Sequence, residues 1–266
     1  MTTNRIVRGD SLQLLKTEID DGSIDLIFSD PPYNLSGSSL DLANNTTGGA
    51  FYKVNEAWDT FTQSEYLSFT KAWIKESYRA LKMGGSLYIS CTHHNIGELV
   101  LTGKEIGFKL NNILTWYKTN AMPNITKRTF THSTEFVLWF VKGSGWTFNY
   151  DRVKALNPNK TKEGKPKQMR DFWDFLELPI VQGRERLKGT GNRALHPTQK
   201  PEKLLEIIIE ASSNAGDIVL DPFLGTGTTA VVAERLGRRW IGFDLSEEYT
   251  AAAAKRIENE RRNKTA

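Results

Sequence analysis

The chain has 266 residues, 39% hydrophobic and 25% charged, with a formal net charge of +4; this is the balance of a water-soluble globular protein, long enough for one large α/β domain with a small lobe. Its longest apolar runs, such as 136–141, are far too short to cross a bilayer, so no membrane attachment is expected. The start of the sequence has no apolar signal stretch, and a single cysteine, Cys91, excludes an internal disulfide; a cytoplasmic protein is the expectation.

In chain order, 5–8 reads as a first strand, ended by Gly9-Asp10, and 11–19 as a helix with Leu12, Leu15 and Ile19 at helical spacing. Residues 24–29 form a short apolar strand. It cannot continue through Asp30-Pro31-Pro32-Tyr33, because two prolines remove ladder donors. A loop rich in Ser, Asn, Thr and Gly follows over 34–59, a length that is usually functional. Residues 64–81 read as an amphipathic helix capped by Ser64 and stopped by Gly84-Gly85. Then come a buried strand over 86–91, a helix from about His94 to Ile106, and strands over 109–118 and 135–142 that suit antiparallel neighbours.

Gly143-Ser144-Gly145 ends the last of these strands, and apolar periodicity fades until Pro201. Regular alternation then returns: helix 201–213, strand 217–221, helix 226–236, strand 239–243 and a helix from 246 to about 263. Alternating strands and helices at both ends, interrupted by one irregular stretch, predict an α/β fold. It is a doubly wound, mostly parallel sheet with an antiparallel edge hairpin and a small inserted lobe. The division is 1–142 for one half of the core, 143–195 for the insert and 196–266 for the other half.

Charge is uneven along the chain. Between 151 and 193 there are eleven Lys or Arg and six acidic residues, so this window carries +5 and the remainder −1. Such a segment serves equally as a polyanion contact or as a solvated loop on charge alone. Its cations include Lys160, Lys162, Lys165, Lys167, Arg170, Arg184 and Arg186.

The strand 217–221 leads into Asp221-Pro222-Phe223-Leu224-Gly225-Thr226-Gly227-Thr228, which opens a helix. Glycines there allow a tight turn and a close ligand approach at the carboxyl end of a strand. The spacing is neither the dinucleotide fingerprint nor a phosphate loop. Asp244, at the end of the next strand, can accept hydrogen bonds from both hydroxyls of a ribose. A glycine turn alone also suits plain packing; with the strand and Asp244 it reads as a site for a nucleoside without phosphates.

Four motifs in this order resemble one family. Asp30-Pro31-Pro32-Tyr33 is similar to the D-P-P-Y motif of amino-methyltransferases acting on DNA bases, and Phe223-Leu224-Gly225-Thr226-Gly227 to their F-x-G-x-G cofactor motif. His196-Pro197-Thr198-Gln199-Lys200-Pro201 resembles the segment that helps enclose the methionine part of the cofactor, and Gly9-Asp10 the element bordering its adenine. The catalytic motif precedes the cofactor motif, as in the permuted β class, and the likeness runs from about residue 5 to about 257.

The resemblance implies a Rossmann-like methyltransferase core and S-adenosylmethionine as cofactor. The implied cofactor site is Asp10, Asp30, His196, Thr198, Gln199, Lys200, Asp221, Pro222, Phe223, Gly225, Gly227, Thr228 and Asp244. The implied catalytic residues are Asp30, Pro31, Pro32 and Tyr33, acting on a flipped base. Asp at the first motif position favours N6 of adenine, since Ser often stands there for N4 of cytosine. A related N-P-P-Y motif serves RNA or protein-glutamine methylation, and a non-catalytic DNA-binding relative is the alternative of another class.

Segments 119–124 and 128–135 resemble a stretch found in members that modify short adenine-containing sites. Lys127 and Arg128 are the expected phosphate contacts there, alongside the basic insert as target-recognition region. Phe51, Tyr52 and Trp58 can stack or wedge on DNA, or pack the loop's own interior. His93, His94 and His132 have no Cys or carboxylate at ligand spacing, so capping or core packing is expected for them and no metal. Cys91 is expected to pack in the core. DNA is the expected partner. By analogy with the class, so are a homodimer and a restriction endonuclease sharing the target site.

Overall fold

The computed structural model describes residues 1–34, 60–119, 121, 127–176, 185–189, 194–196 and 198–265. The long loop with Phe51, Tyr52 and Trp58, the 122–126 stretch, Arg184 and Pro197 lie outside the described residues. The strands are β1 (Arg5–Arg8), β2 (Ile24–Ser29), β3 (Leu81–Cys91), β4 (Lys109–Tyr117), β5 (Thr134–Val141), β6 (Phe172–Trp173), β7 (Ile218–Asp221) and β8 (Arg239–Asp244). The helices are α1 (Ser11–Glu18), α2 (Gln63–Ala80), α3 (Ile96–Ile106), α4 (Tyr150–Leu156), α5 (Glu202–Ser212), α6 (Thr228–Arg235) and α7 (Glu247–Thr265).

All eight strands join one sheet in the order β1-β8-β7-β2-β3-β5-β4-β6. Only β5 runs against the others: β3 and β4 both pair with it antiparallel, and the remaining ladders are parallel. Strand alternation divides the interior into two cores. Leu26, Phe28, Tyr88, Trp139 and Val219 face a layer holding Val153, Leu204, Ile208, Val231 and Ile257 of α4–α7. Ile27, Leu87, Ile89, Leu138 and Leu220 face Leu15, Trp73, Ile74 and Leu99 of α1–α3. Apolar side chains on both faces are what a doubly wound sheet requires.

Three local features depart from the sequence reading. First, α2 is capped by Thr62, not Ser64. The Thr62 side chain accepts from Glu65 N–H, and the Glu65 carboxylate accepts from Thr62 N–H at 2.8 Å, a reciprocal cap that starts the helix one residue earlier. Second, Gly84-Gly85 do not stop this helix; they lie inside β3. A Cβ on Gly84, at φ +79°, would stand 2.8 Å from the Gly145 carbonyl, so the glycine admits the turn at 143–145.

Third, the stretch after Gly143 contains two elements that no periodicity announced. α4 packs on α5, and Trp173 of β6 is buried with Trp116 in the first core. The β4–β5 hairpin is therefore one strand in from the edge, because β6 pairs outside β4. Seven residues and two residues are too short to show a period.

Successive connections diverge at the boundary between β7 and β2. Helix α2 carries the chain from β2 to β3 on one face, and α6 carries it from β7 to β8 on the other. A crevice opens beyond the carboxyl ends of strands at such a switch point. Asp30 follows β2 there and Asp221 ends β7.

Candidate active site

A cavity of about 540 Å³ occupies this crevice, within the size range of small-molecule sites. Its walls bring together Asp10, Asp30, Pro31, Pro32 and Tyr33 from the first half with His196, Thr198, Gln199, Lys200, Asp221, Phe223, Gly225, Thr228 and Asp244 from the second. Two expected residues support the wall from behind. The Pro222 carbonyl accepts a hydrogen bond from Ser11 Oγ. Gly227, at φ +85°, presses on α7, where an added Cβ would meet Ala253 Cβ at 2.7 Å.

Asp30 is gripped on both carboxylate oxygens. Tyr33 Oη donates to Oδ1 at 2.6 Å, and Lys200 Nζ donates to Oδ2 at 2.6 Å. Lys200 is 6% exposed and also donates to the Thr198 carbonyl at 3.2 Å. Its ammonium lies 5.4 Å from the Tyr33 ring centroid, close enough for a cation–π contribution. Tyr33 Oη meets Ser90 Oγ of β3 at 2.8 Å. Burial, with the neighbouring Asp30 charge, holds the Tyr33 phenol well above its ordinary pKa, so it remains a donor to Asp30. Each Asp30 oxygen keeps a further lone pair, and Pro31 contributes a carbonyl with no N–H beside it.

The glycine turn is built around two more carboxylates. Asp221 is buried; Phe223 N donates to Oδ1 at 2.9 Å and Thr229 Oγ1 to Oδ2 at 2.5 Å. Burial pushes its carboxyl up to about 7 against these two donors, with the Asp30 and Asp244 charges adding to the rise. Asp244 accepts from Gly225 N and Ser246 N, both at 2.8 Å, and burial raises its pKa too. Arg256 of α7 closes the turn from outside, donating to the Thr226 carbonyl at 2.9 Å and to Thr228 Oγ1 at 3.1 Å.

His196 is the neutral member of the set, since burial lowers its pKa to about 4. Nδ1 accepts from Thr198 N at 3.2 Å, and Nε2 lies 3.4 Å from the position a Gly225 Cβ would take. That is ordinary contact distance, so the demand for glycine at 225 comes from its left-handed backbone, φ +54°. Gln199 lines the cavity, but its amide is taken up by the chain: Nε2 donates to the Glu185 carbonyl at 2.8 Å and Oε1 accepts from Leu187 N at 3.2 Å.

A phosphorylated ligand does not suit this lining. It presents Asp10, Asp30, Asp221 and Asp244, and its lysine is already paired with Asp30. A cationic nucleoside fits: the acids match positive charge, and Phe28, Phe223 and Leu224 supply apolar wall. The sequence reading missed Phe61 and Phe69. These stack at 5.4 Å, and Phe69 meets Phe223 edge-on at 6.1 Å, closing the cavity from the start of α2. No spacing could have exposed them, because their partner belongs to the other half of the chain.

Among the expected DNA contacts, Lys127 and Arg128 are exposed ahead of β5. Lys160, Lys162, Lys165, Lys167 and Arg170 are exposed on and beside a tight hairpin closed by the Lys160–Pro166 bridge. Arg186 is half-buried, and its charge acts on His196. His93, His94 and His132 occupy exposed positions, correcting the expectation of capping or core packing. Cys91 is buried, as expected. Among the described residues no group of His, Cys, Asp or Glu is placed to hold a metal ion. No helix there is long and apolar enough to cross a membrane.

Comparison with known proteins agrees with this geometry. The profile of the family N6_N4_Mtase, described as DNA methylase, matches residues 24–255. The type II methyltransferase M2.DpnII of Streptococcus pneumoniae is 41% identical over 260 residues, covering 96% of this chain and 90% of that protein. M2.LlaDCHI of Lactococcus lactis subsp. cremoris, also a type II methyltransferase, is 40% identical over 257 residues, covering 95% and 88%. Among solved structures, the M1.HpyAVI–SAM complex superposes with a TM-score of 0.64 at 27% identity, covering 95% of this chain and 98% of that one.

Proposed function

The chain belongs to the DNA methylase family, and on that premise we propose that it methylates N6 of adenine in the cavity between Asp30 and the glycine turn. It is an S-adenosylmethionine-dependent DNA methyltransferase. One observation carries the finer reading: an aspartate carboxylate, fixed from two sides by Lys200 and Tyr33, stands next to a proline carbonyl in the wall of the nucleoside cavity.

The amino nitrogen of adenine is a poor nucleophile because its lone pair is delocalised into the ring. Asp30 and the Pro31 carbonyl can accept its two hydrogens, drawing the nitrogen towards tetrahedral geometry and freeing the lone pair, and Asp30 can take up the proton lost afterwards. Lys200 and Tyr33 hold the carboxylate in place before the base arrives. The Tyr33 ring offers a face to a base swung out of the helix. The bound cofactor supplies a methyl group already activated on a sulfonium sulfur. Asp244 and Asp10 would hold its nucleoside part, with Asp221 and Asp30 facing its positive charge and His196, Thr198 and Lys200 flanking the amino-acid part.

On this reading Lys127, Arg128 and the basic hairpin contact DNA phosphates, and residues 143–195 recognise the target. The type II names of the relatives support a role in a restriction-modification system, beside an endonuclease that shares the site. A homodimer follows by analogy with the class alone.

The test offers DNA, RNA and protein separately with tritium-labelled cofactor, followed by identification of the labelled base. N6-methyladenine is expected; label in N4-methylcytosine overturns the base assignment. Asp30→Ala is expected to lose at least about 10³-fold in turnover while cofactor binding, held also by Asp10, Asp221 and Asp244, weakens far less, with Asp30→Asn as the volume-conserving control. Near-normal turnover in Asp30→Ala refutes the assigned role.

A further inference from the structure

His93 and His94 follow β3, and His132 precedes β5, so the antiparallel pairing of Cys91 with Phe136 brings the three together beyond the carboxyl end of β3. The rings stack. The His93 centroid lies 3.9 Å from that of His94 and 4.0 Å from that of His132, the latter pair within 7° of parallel. Phe130, two residues before His132, is 97% exposed, the extreme among the large hydrophobics of the described residues. Lys127 and Arg128 stand exposed just ahead of it.

This strip adjoins the catalytic residues. Ser29 pairs with Ile89 across the β2–β3 ladder, and Ser90 of β3 bonds the Tyr33 hydroxyl that holds Asp30. Stacked rings and exposed cations in one strip suit unpaired nucleotides, whose bases lie on π-faces while their phosphates meet the cations. A duplex presents only base edges and phosphates to such a surface, so the occupant is a strand already opened.

We propose that Phe130 and His132, the latter backed by the His93 ring, form a stacking platform for the DNA nucleotides next to the target base, keeping that stretch of strand unpaired while the target occupies the pocket. The inference rests on the chain being a DNA methyltransferase and adds to it a binding surface outside the cavity.

Fluorescence anisotropy of the full chain with a fluorescein-labelled single-stranded DNA of random sequence tests it. Phe130→Ala is expected to weaken binding about tenfold, the range found for loss of one base–aromatic stack. Phe130→Trp keeps a ring and keeps affinity, and His132→Ala weakens binding several-fold. Met83→Ala removes an exposed apolar side chain (70% exposed) near the opposite end of β3 and leaves binding unchanged. In methyl transfer to DNA, Phe130→Ala raises KM for DNA more than it lowers kcat.

Wild-type affinity in both Phe130→Ala and His132→Ala overturns the platform, as does a Phe130→Trp protein as weak as Phe130→Ala. A Phe130→Ala change confined to sedimentation, with DNA affinity intact, assigns the strip to a second copy of the chain and also overturns it. Absence of methyl transfer to DNA by the wild type would instead sink the parent function, so the two failures are told apart.

Discussion

On the proposed function the glycine turn at the end of β7 meets the cofactor and the basic hairpin after α4 meets DNA, and the two are built in opposite ways. In the turn, charged groups are buried and bonded in advance: Asp221 and Asp244 each accept two hydrogen bonds, and Arg256 braces the backbone. In the hairpin only the backbone is fixed. Asn157 Nδ2 donates to the carbonyls of Lys167 and Gln168 at 3.0 and 3.1 Å, and Thr161 N to that of Lys165 at 2.8 Å. Lys162, Lys165 and Lys167 extend into solvent with no ion pair among the described residues. A small cationic ligand is best met by carboxylates desolvated beforehand, because such charges act strongly at short range. A polyanion is met by mobile surface cations that displace its counterions.

That contrast can be broken in three places. The largest expected effect is at Asp221. Its folded pKa of about 7 lies above the ordinary value of 3.8, so the folded state binds more protons between those limits and stability falls as pH rises through that window, levelling off above it. The full shift corresponds to on the order of 4 kcal/mol. In denaturant unfolding of the cofactor-free protein at pH 5 and pH 8, the wild type should lose about 3 kcal/mol relative to Asp221→Asn, the part of the shift that falls in that interval; His196, held below its ordinary pKa, acts in the opposite direction in both proteins. The variant should bind cofactor more weakly. Identical pH profiles would show that the buried carboxylate is not held at a cost.

Next comes Gly227→Ala, whose Cβ would meet Ala253 at 2.7 Å in a backbone conformation of φ +85°. Overpacking and left-handed backbone together should cost about 3 kcal/mol, read as a lower denaturation midpoint with cofactor binding weakened in parallel. The smallest effect belongs to the hairpin. Lys162→Ala with Lys165→Ala should leave the melting temperature unchanged and lower DNA affinity about tenfold, with a log–log salt slope shallower by about 2. An unchanged slope would remove the hairpin from the DNA interface.

The proposed catalytic constellation was readable in part before any fold was known. Asp30-Pro31-Pro32-Tyr33 and the glycine turn declare themselves because their chemistry is local: consecutive prolines end a strand, and paired glycines mark a backbone that a ligand must approach. Lys200 was visible only as part of a motif; that its ammonium reaches Asp30 from 170 positions away along the chain was not. Phe61 and Phe69 left no trace at all, since isolated aromatic rings carry no period, and the three histidines were visible as residues but not as rings in contact. The helix cap at Thr62 was misplaced because Ser64 is an equally good capping residue by type, and only the carboxylate of Glu65 selects between them.

Sequence alone determined the alternation of strands and helices, the buried faces of the long elements and the turns at Asp30 and Gly225, because each of these depends on neighbours within a few residues. Tertiary structure decided the rest. It set the strand order that brings Asp30 beside Asp221, the Lys200 grip on the carboxylate, and the incorporation of α4 and β6 into the sheet's own layers. Those outcomes depend on contacts between distant segments, whose cost in chain entropy is repaid only when the whole sheet is buried on both faces.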